Sequence, residues 1–245
     1  MEAIQSYFNG VGGFYEGNNS SMQYRVSLRD DLIKDIIPHF DKYPLITQKW
    51  ADYKIFKDIV ELMDKKEHLI PEGLNKVLSL KASMNKGLSS NLIKAFPLIT
   101  PVDRPEVPAF EIVDPQWVVG FTDAEGCFMI KIKKSPAFKL GVQTQLYFQI
   151  TQSSRDVSLI KKLVTYLDCG VIVEAQEGQM VNFVVTKLSD ITDIILPFFD
   201  KFELKGFKRY NYAYFKQAVE VLRKKQHLTP SGLKLIREMK EKMNK

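Results

Sequence analysis

Apolar positions change period along this chain, and the changes mark its elements. From 127 to 134, CFMIKIKK alternates, with Phe128, Ile130 and Ile132 on one side and Met129, Lys131 and Lys133 on the other. QLYFQITQ at 145–152 does the same: Leu146, Phe148 and Ile150 oppose Gln145, Tyr147, Gln149 and Thr151, with Gln143 just before them. Period-two alternation predicts strands with one covered face. Arg155 to Leu167 has helical periodicity. VIVEA at 171–175 and NFVVTK at 182–187 predict a second hairpin. Ser189 and Asp190 lead into a helix ending around Pro197–Asp200. Two further helices are predicted over 208–223 and 230–243, the last opened by Thr229–Pro230. Upstream, Asp114 and Pro115 are an N-cap and first-turn pair opening a helix, and Gly126 stands where that helix should stop. From 114 the order is αββαββα plus terminal helices, an α+β pattern.

Part of this pattern occurs twice. IIPHFDKYPL at 36–45 returns as ILPFFDKFEL at 195–204, and KKEHLIPEGL at 65–74 returns as KKQHLTPSGL at 224–233. The offset of 159 holds without a gap from Ile36 to Lys86, with 23 identities over 51 positions. That is a duplicated domain, and two copies at so large a period predict a pseudo-symmetric pair. Shifting Asp114 back by the same offset passes Met1. The expectation is a first repeat over 1–88 that is N-terminally incomplete, a proline-rich linker over 89–113 and a second repeat over 114–245. Copy one shows a helix at 3–8, strands near 13–16 and 22–27, and its later helices. Without a counterpart of 114–160, its apolar surface is expected to lie partly uncovered.

Composition narrows the partner. Of 245 residues, 45% are apolar and 26% charged, with a formal net charge of +6, so the chain suits a polyanion without requiring one. Cys127 and Cys169 make neither a disulfide framework nor a zinc set. No stretch is apolar for the roughly 20 residues that span a bilayer, so no membrane partner is expected. The first ten residues are neither a secretory signal nor an Arg-rich transit peptide, which predicts action where the chain is translated or synthesis inside an organelle. The polar sides of the strands carry Lys131, Lys133, Gln143, Gln145, Tyr147 and Gln149, with Gln23 and Arg25 in copy one. These types read base edges and hold phosphates, and a two-stranded ribbon fits the major groove. The bland alternative is a solvated polar face.

The helix ahead of the first strand reads Val118-Val119-Gly120-Phe121-Thr122-Asp123-Ala124-Glu125-Gly126. Gly120 and Ala124 put small residues on one helical face, where a second helix could approach closely. Glu125 lies in the last turn, where a carboxylate opposes the helix dipole. A divalent cation would repair that placement; otherwise Glu125 is a surface acid. His68 and His227 are read as helix C-terminal residues favoured by the dipole.

Together with WVVGFTDAEGCF, FQITQSSRD, FVVTKLSDI, ILPFFDKF and HLTPSGL, the 118–126 segment resembles the LAGLIDADG homing endonucleases. The likeness is to their fungal mitochondrial, intron-encoded, two-repeat branch, and it covers nearly the whole chain. It implies tandem αββαββα repeats with saddle-shaped antiparallel sheets, double-stranded DNA as partner, and Mg²⁺ as the metal for phosphodiester hydrolysis. It implies Glu125 as metal ligand, with the Gly126 carbonyl as the neighbouring contact. Lys208 and its repeat partner Lys49 match the basic residue beside the cleavage site, and Gln152 a polar residue ordering water. Synthesis in the mitochondrion follows from the same resemblance. Only one such motif stands in these 245 residues, so weak binding and few double-strand breaks are expected of them alone. An upstream or separate N-terminal fragment would supply the second motif. A competing reading is a catalytically silent, maturase-like or structural RNA-binding protein with intron RNA as partner.

Overall fold

The computed structural model describes residues 1–18, 21–174 and 178–244. Ala175, predicted to end a strand, and Lys245 lie outside the described residues. The chain divides into two compact units, Met1–Phe110 and Glu111–Lys245. The proline-rich stretch up to Phe110 therefore groups with the first unit.

The first unit opens with a short helix, Glu2–Tyr7, and one antiparallel hairpin, β1 (Gly13–Glu16) and β2 (Met22–Arg25), in which Tyr15 pairs with Gln23 and Gly13 with Arg25. Helices at 29–42, Lys49–Asp64, Pro71–Ser83 and Ser90–Ala95 follow. The tail of the unit lies along them. The Val102 amide donates to the Ser79 carbonyl at 3.3 Å, and Arg104 donates to Asp52, Ser83 and Gln48.

The second unit holds a four-stranded antiparallel sheet, β3 (Gly126–Lys134), β4 (Val142–Ser153), β5 (Val171–Glu174) and β6 (Met180–Val185), in the order β3-β4-β6-β5. Phe128 pairs with Phe148, Lys131 with Gln145, and Thr151 with Asn182. Phe128, Phe148 and Phe183 face the helices, where they meet Phe199 and Phe215; all five are fully buried. The Phe128 and Phe148 rings stack at 4.9 Å, and Phe199 meets both edge-on. Among the described residues thirty buried apolar side chains belong to this unit and seven to the first. Phe56 explains the difference locally. It is half-buried, whereas Phe215, its counterpart at the repeat offset, packs against Phe128 of β3. Among the described residues no hairpin equivalent to β3–β4 covers Phe56.

The duplication extends to fine geometry. Both 29–42 and 188–201 run through a proline, Pro38 and Pro197. A proline inside an α-helix removes one hydrogen bond and clashes with the preceding turn. Each helix accommodates it with a wider π-turn just upstream, Leu32–Ile36 and Ile191–Ile195. Tyr53 donates its hydroxyl to Asp41 at 2.7 Å and Lys57 donates to the same carboxylate at 2.6 Å. Tyr212, Asp200 and Lys216 repeat this at 2.8 and 2.6 Å. His68 and His227 sit in 3-10 turns, Glu67–Leu69 and Gln226–Leu228, reached through left-handed Lys66 and Lys225. They are thus beyond the last helical turn, where the dipole attraction has faded.

Candidate active site and nucleic-acid interface

The motif helix spans Pro115–Glu125. Asp114 caps it, its side chain accepting the Gln116 amide at 2.8 Å. Val118, Val119 and Thr122 are buried, while Gly120, Ala124 and Glu125 are exposed. A Cβ built on Gly120 meets nothing within 4 Å. Gly126 follows for a different reason from the one expected. Its backbone is extended, φ −76° and ψ 158°, not left-handed. A Cβ there would stand 2.6 Å from Thr122 Cγ2 and 2.8 Å from its carbonyl oxygen. The chain thus turns from helix to strand so tightly that only glycine fits.

Two side chains hold the end of this helix. The Asp123 carboxylate accepts the backbone amides of Lys205 and Gly206, both at 2.8 Å. Lys208, first residue of the helix Lys208–Arg223, donates its Nζ to the carbonyls of Asp123 at 2.9 Å and Ala124 at 3.0 Å. An ammonium on last-turn carbonyls is favoured by the helix dipole. Glu125 comes next, an exposed carboxylate with no ion-pair partner among the described residues. Cys127, one step into β3, lies near both Lys208 and Lys131; burial nevertheless pushes its thiol up, against the pull of these cations. No cluster of three or more His, Cys, Asp or Glu gathers among the described residues. An ion at Glu125 would have to complete its shell from main-chain oxygens, water and phosphate.

The open face of the sheet continues from this point. Lys131 Nζ lies 3.7 Å from the centre of the Tyr147 ring, and the Tyr147 hydroxyl donates to Gln145 Oε1 at 2.9 Å. Lys133 and Gln143 pair across the strands and are exposed. Gln149, Thr151 and Asn182 form a second cluster. Gln152 keeps the core-side parity of Phe148 and Ile150, opposite buried Val181, at the strand end two residues past Ile150, which pairs with Gly126.

The sequence profile of the LAGLIDADG endonucleases matches residues 1–60 and 118–219. The chain belongs to this family. It is 38% identical over 251 aligned positions to a probable intron-encoded endonuclease of Neurospora crassa, covering 98% of this chain and 54% of that protein. It thus spans about half the length of the curated relatives it matches. Among solved structures, the I-SmaMI LAGLIDADG homing endonuclease bound to cleaved DNA superposes with a TM-score of 0.96 at 44% identity, over 99% of this chain and 81% of that one. The I-LtrWI LAGLIDADG homing endonuclease bound to target DNA superposes at 0.95 with 40% identity, over 99% and 82%. I-SmaMI has also been solved on uncleaved DNA with calcium ions, and as alanine variants of two lysines that stand 159 positions apart.

The first unit of this LAGLIDADG chain carries the remaining expected residues. Lys49 opens Lys49–Asp64 as Lys208 opens its helix, its amide donating to Thr47 Oγ1 at 3.2 Å. Arg25 lies 4.9 Å over the Tyr15 ring and donates to Gln23 Oε1 at 3.0 Å. Asn182 and Asp123 were missed by the pattern. Asn182 is the one polar side chain between Val181 and Val185, a signal that gains meaning only with the β4–β6 register. Asp123 stands in the motif itself, but its amide partners are 82 and 83 residues away.

Proposed function

We propose that this LAGLIDADG protein is a site-specific DNA endonuclease of the intron-homing type, working on double-stranded DNA with Mg²⁺. The observation that carries the reading is the end of the motif helix. There an exposed, unpaired Glu125 stands beside an anchored Lys208 and directly precedes the strand that carries Lys131 and Lys133. The DNA-bound relatives favour DNA over RNA, and the intron-encoded ones favour synthesis in the mitochondrion.

Glu125 and the Gly126 carbonyl are the groups that would hold the metal. When bound, such an ion activates water and stabilises the leaving oxygen of an in-line phosphodiester cut. Lys208 spends two N–H bonds on carbonyls, which keeps its third aimed outward and its charge beside the reacting phosphate. A positioned cation there stabilises charge that grows in the transition state. Lys49 is its counterpart, and the interval of 159 that separates the two is also the interval between the lysines replaced in I-SmaMI. Gln152, at the same end of the sheet as Gly126, is proposed to order water. The Gln, Lys, Arg and Tyr side chains of the open faces hold phosphates and read bases. One motif acid serves one strand, so cutting both calls for a second motif, from a preceding segment or another copy.

The test is binding and cleavage of random-sequence duplexes, with Mg²⁺ or with EDTA, scoring nicks and double-strand cuts separately. Enriched sequences, and Mg²⁺-dependent nicks with few double-strand cuts that Glu125→Gln removes while binding persists, are the expected result. No enrichment, or cleavage by Glu125→Gln at the normal rate, would sink the reading.

A further inference from the structure

We propose that Asn182 locks the side-chain amide of Gln149 so that this position offers DNA only an acceptor, and so recognises the exocyclic amino group of adenine or cytosine. This rests on the DNA-binding reading above and adds what one point of the sheet selects.

The argument starts at a main-chain oxygen. Asn182 contacts the Val173 carbonyl at 3.1 Å. A carbonyl only accepts, so the Asn182 atom there is Nδ2 and its Oδ1 faces the opposite way. Oδ1 lies 2.8 Å from the amide of Gln149 and 2.6 Å from Thr151 Oγ1. Two acceptors repel at that distance, so the Gln149 atom is Nε2. Its second hydrogen goes to Thr151 Oγ1 at 2.9 Å. Thr151 in turn gives its own hydrogen to Asn182 Oδ1. Every donor of Gln149 is then consumed inside the protein, and Oε1 remains.

The major groove makes this a selection rule. Adenine offers an amino group beside the acceptor N7, cytosine offers an amino group, and guanine and thymine offer acceptors. A free glutamine reads adenine with both amide atoms. Gln149 can take the amino hydrogen but has nothing to give N7. Gln145, four residues back on the same strand, is oriented the other way: its Oε1 accepts from Tyr147, which leaves its NH₂ outward. The two glutamines therefore present opposite polarity to successive parts of the groove. Asn182 acts through Gln149 and is a positioning residue.

The test begins by selecting duplexes from a random pool with the full chain, then locating the base pair whose preference Gln149→Ala erases. At that pair, an analogue lacking the exocyclic amino group should weaken binding about fivefold, the scale of one net hydrogen bond. Replacing the purine by its 7-deaza form, which removes N7, should change nothing. Where the amino base is adenine, the Nε2 freed in Asn182→Ala can reach N7, so the 7-deaza duplex should now bind several-fold more weakly than its parent. Sensitivity to 7-deaza in the unaltered chain, no loss on removing the exocyclic amino group, or, at an adenine, no 7-deaza sensitivity in Asn182→Ala, overturns the proposal. An enriched pool with no position answering to Gln149→Ala overturns it too, and leaves the DNA reading intact. A pool no richer than its input overturns both. Thermal melts of both variants, expected within a few degrees of the parent, separate altered reading from failure to fold.

Discussion

Lys208 and Asp123 are joined from both ends of one loop: the lysine ammonium sits on the aspartate carbonyl at 2.9 Å, while the aspartate carboxylate binds the amides of Lys205 and Gly206 that lead up to the lysine. The motif helix and the start of Lys208–Arg223 are therefore fixed to each other beside Glu125. Asp123→Ala strips two amides of a charged acceptor. A loss of about 2–4 kcal/mol is expected from hydrogen bonds to a charged group, read as a lower denaturation midpoint. Lys208→Ala should spare most of the stability and lower the cleavage rate far more than affinity. Equal losses in rate and affinity would place Lys208 among the phosphate contacts.

The two glycines of the motif should respond to alanine with opposite signs. Gly120 has open space at its Cβ position, and a helix-interior glycine costs roughly 0.5–1 kcal/mol relative to alanine. Gly120→Ala should raise the melting temperature of the chain. Gly126→Ala drives a methyl to 2.6 Å from Thr122 Cγ2, and overpacking of this kind costs about 1–3 kcal/mol. Calorimetry that ranks the two variants the other way would contradict this local packing.

Acid should weaken the first unit at a point where the second has nothing to titrate. Arg104, then the Asn85 amide against the cost of burial, holds the Asp52 carboxyl below its usual range. A depressed carboxylate stabilises the fold above its unfolded value near pH 4, and that stability is lost as pH falls through the lower folded value. The second repeat has Asn211 here, which binds the Asn244 amide at 3.0 Å without ionising. Arg104→Ala should cost about 1 kcal/mol at neutral pH, discounted because the guanidinium is a third exposed. The difference from the parent should shrink as pH falls below the usual carboxylate range, leaving the pH-independent part that Arg104 contributes through the Ser83 and Gln48 carbonyls. A difference independent of pH would assign the effect to packing.

On the open face, charge and amide should separate in binding. Lys131→Ala should weaken all duplexes alike and reduce the slope of log affinity against log salt by about one. Gln145→Ala should leave that slope unchanged and relax preference at one base pair. Identical salt slopes in the two variants would show that Lys131 meets no phosphate.

Much of this was legible before the structure. The alternation about Phe128 and Phe148 placed both long strands, and the 159-residue offset announced paired helices down to their prolines. The motif placed Glu125 at the helix end, but a carboxylate against the dipole reads equally as a surface acid, and a metal role for it came from the family resemblance. The end of β4 was not legible, because Thr144 and Ser153 suit strand or turn alone and are settled only by pairing. The role of Gly126 escaped because close approach to Thr122 and left-handed backbone both demand glycine, and sequence does not distinguish them. Asn182 escaped because its partners come from β4 and β5, and register between distant strands is set by the folded sheet.

The Tyr–Asp–Lys clasp recurs in both units with its distances reproduced to about 0.1 Å, while the strands of the two units carry different residues. Where the second unit sets Asn182, the first sets Gln23; where one uses Val184, the other uses Arg25. The frame and the lettering on it are separable. On the DNA-binding role proposed above, rewriting the strands alone would readdress such a protein to new DNA, without asking the helices to learn a new fold.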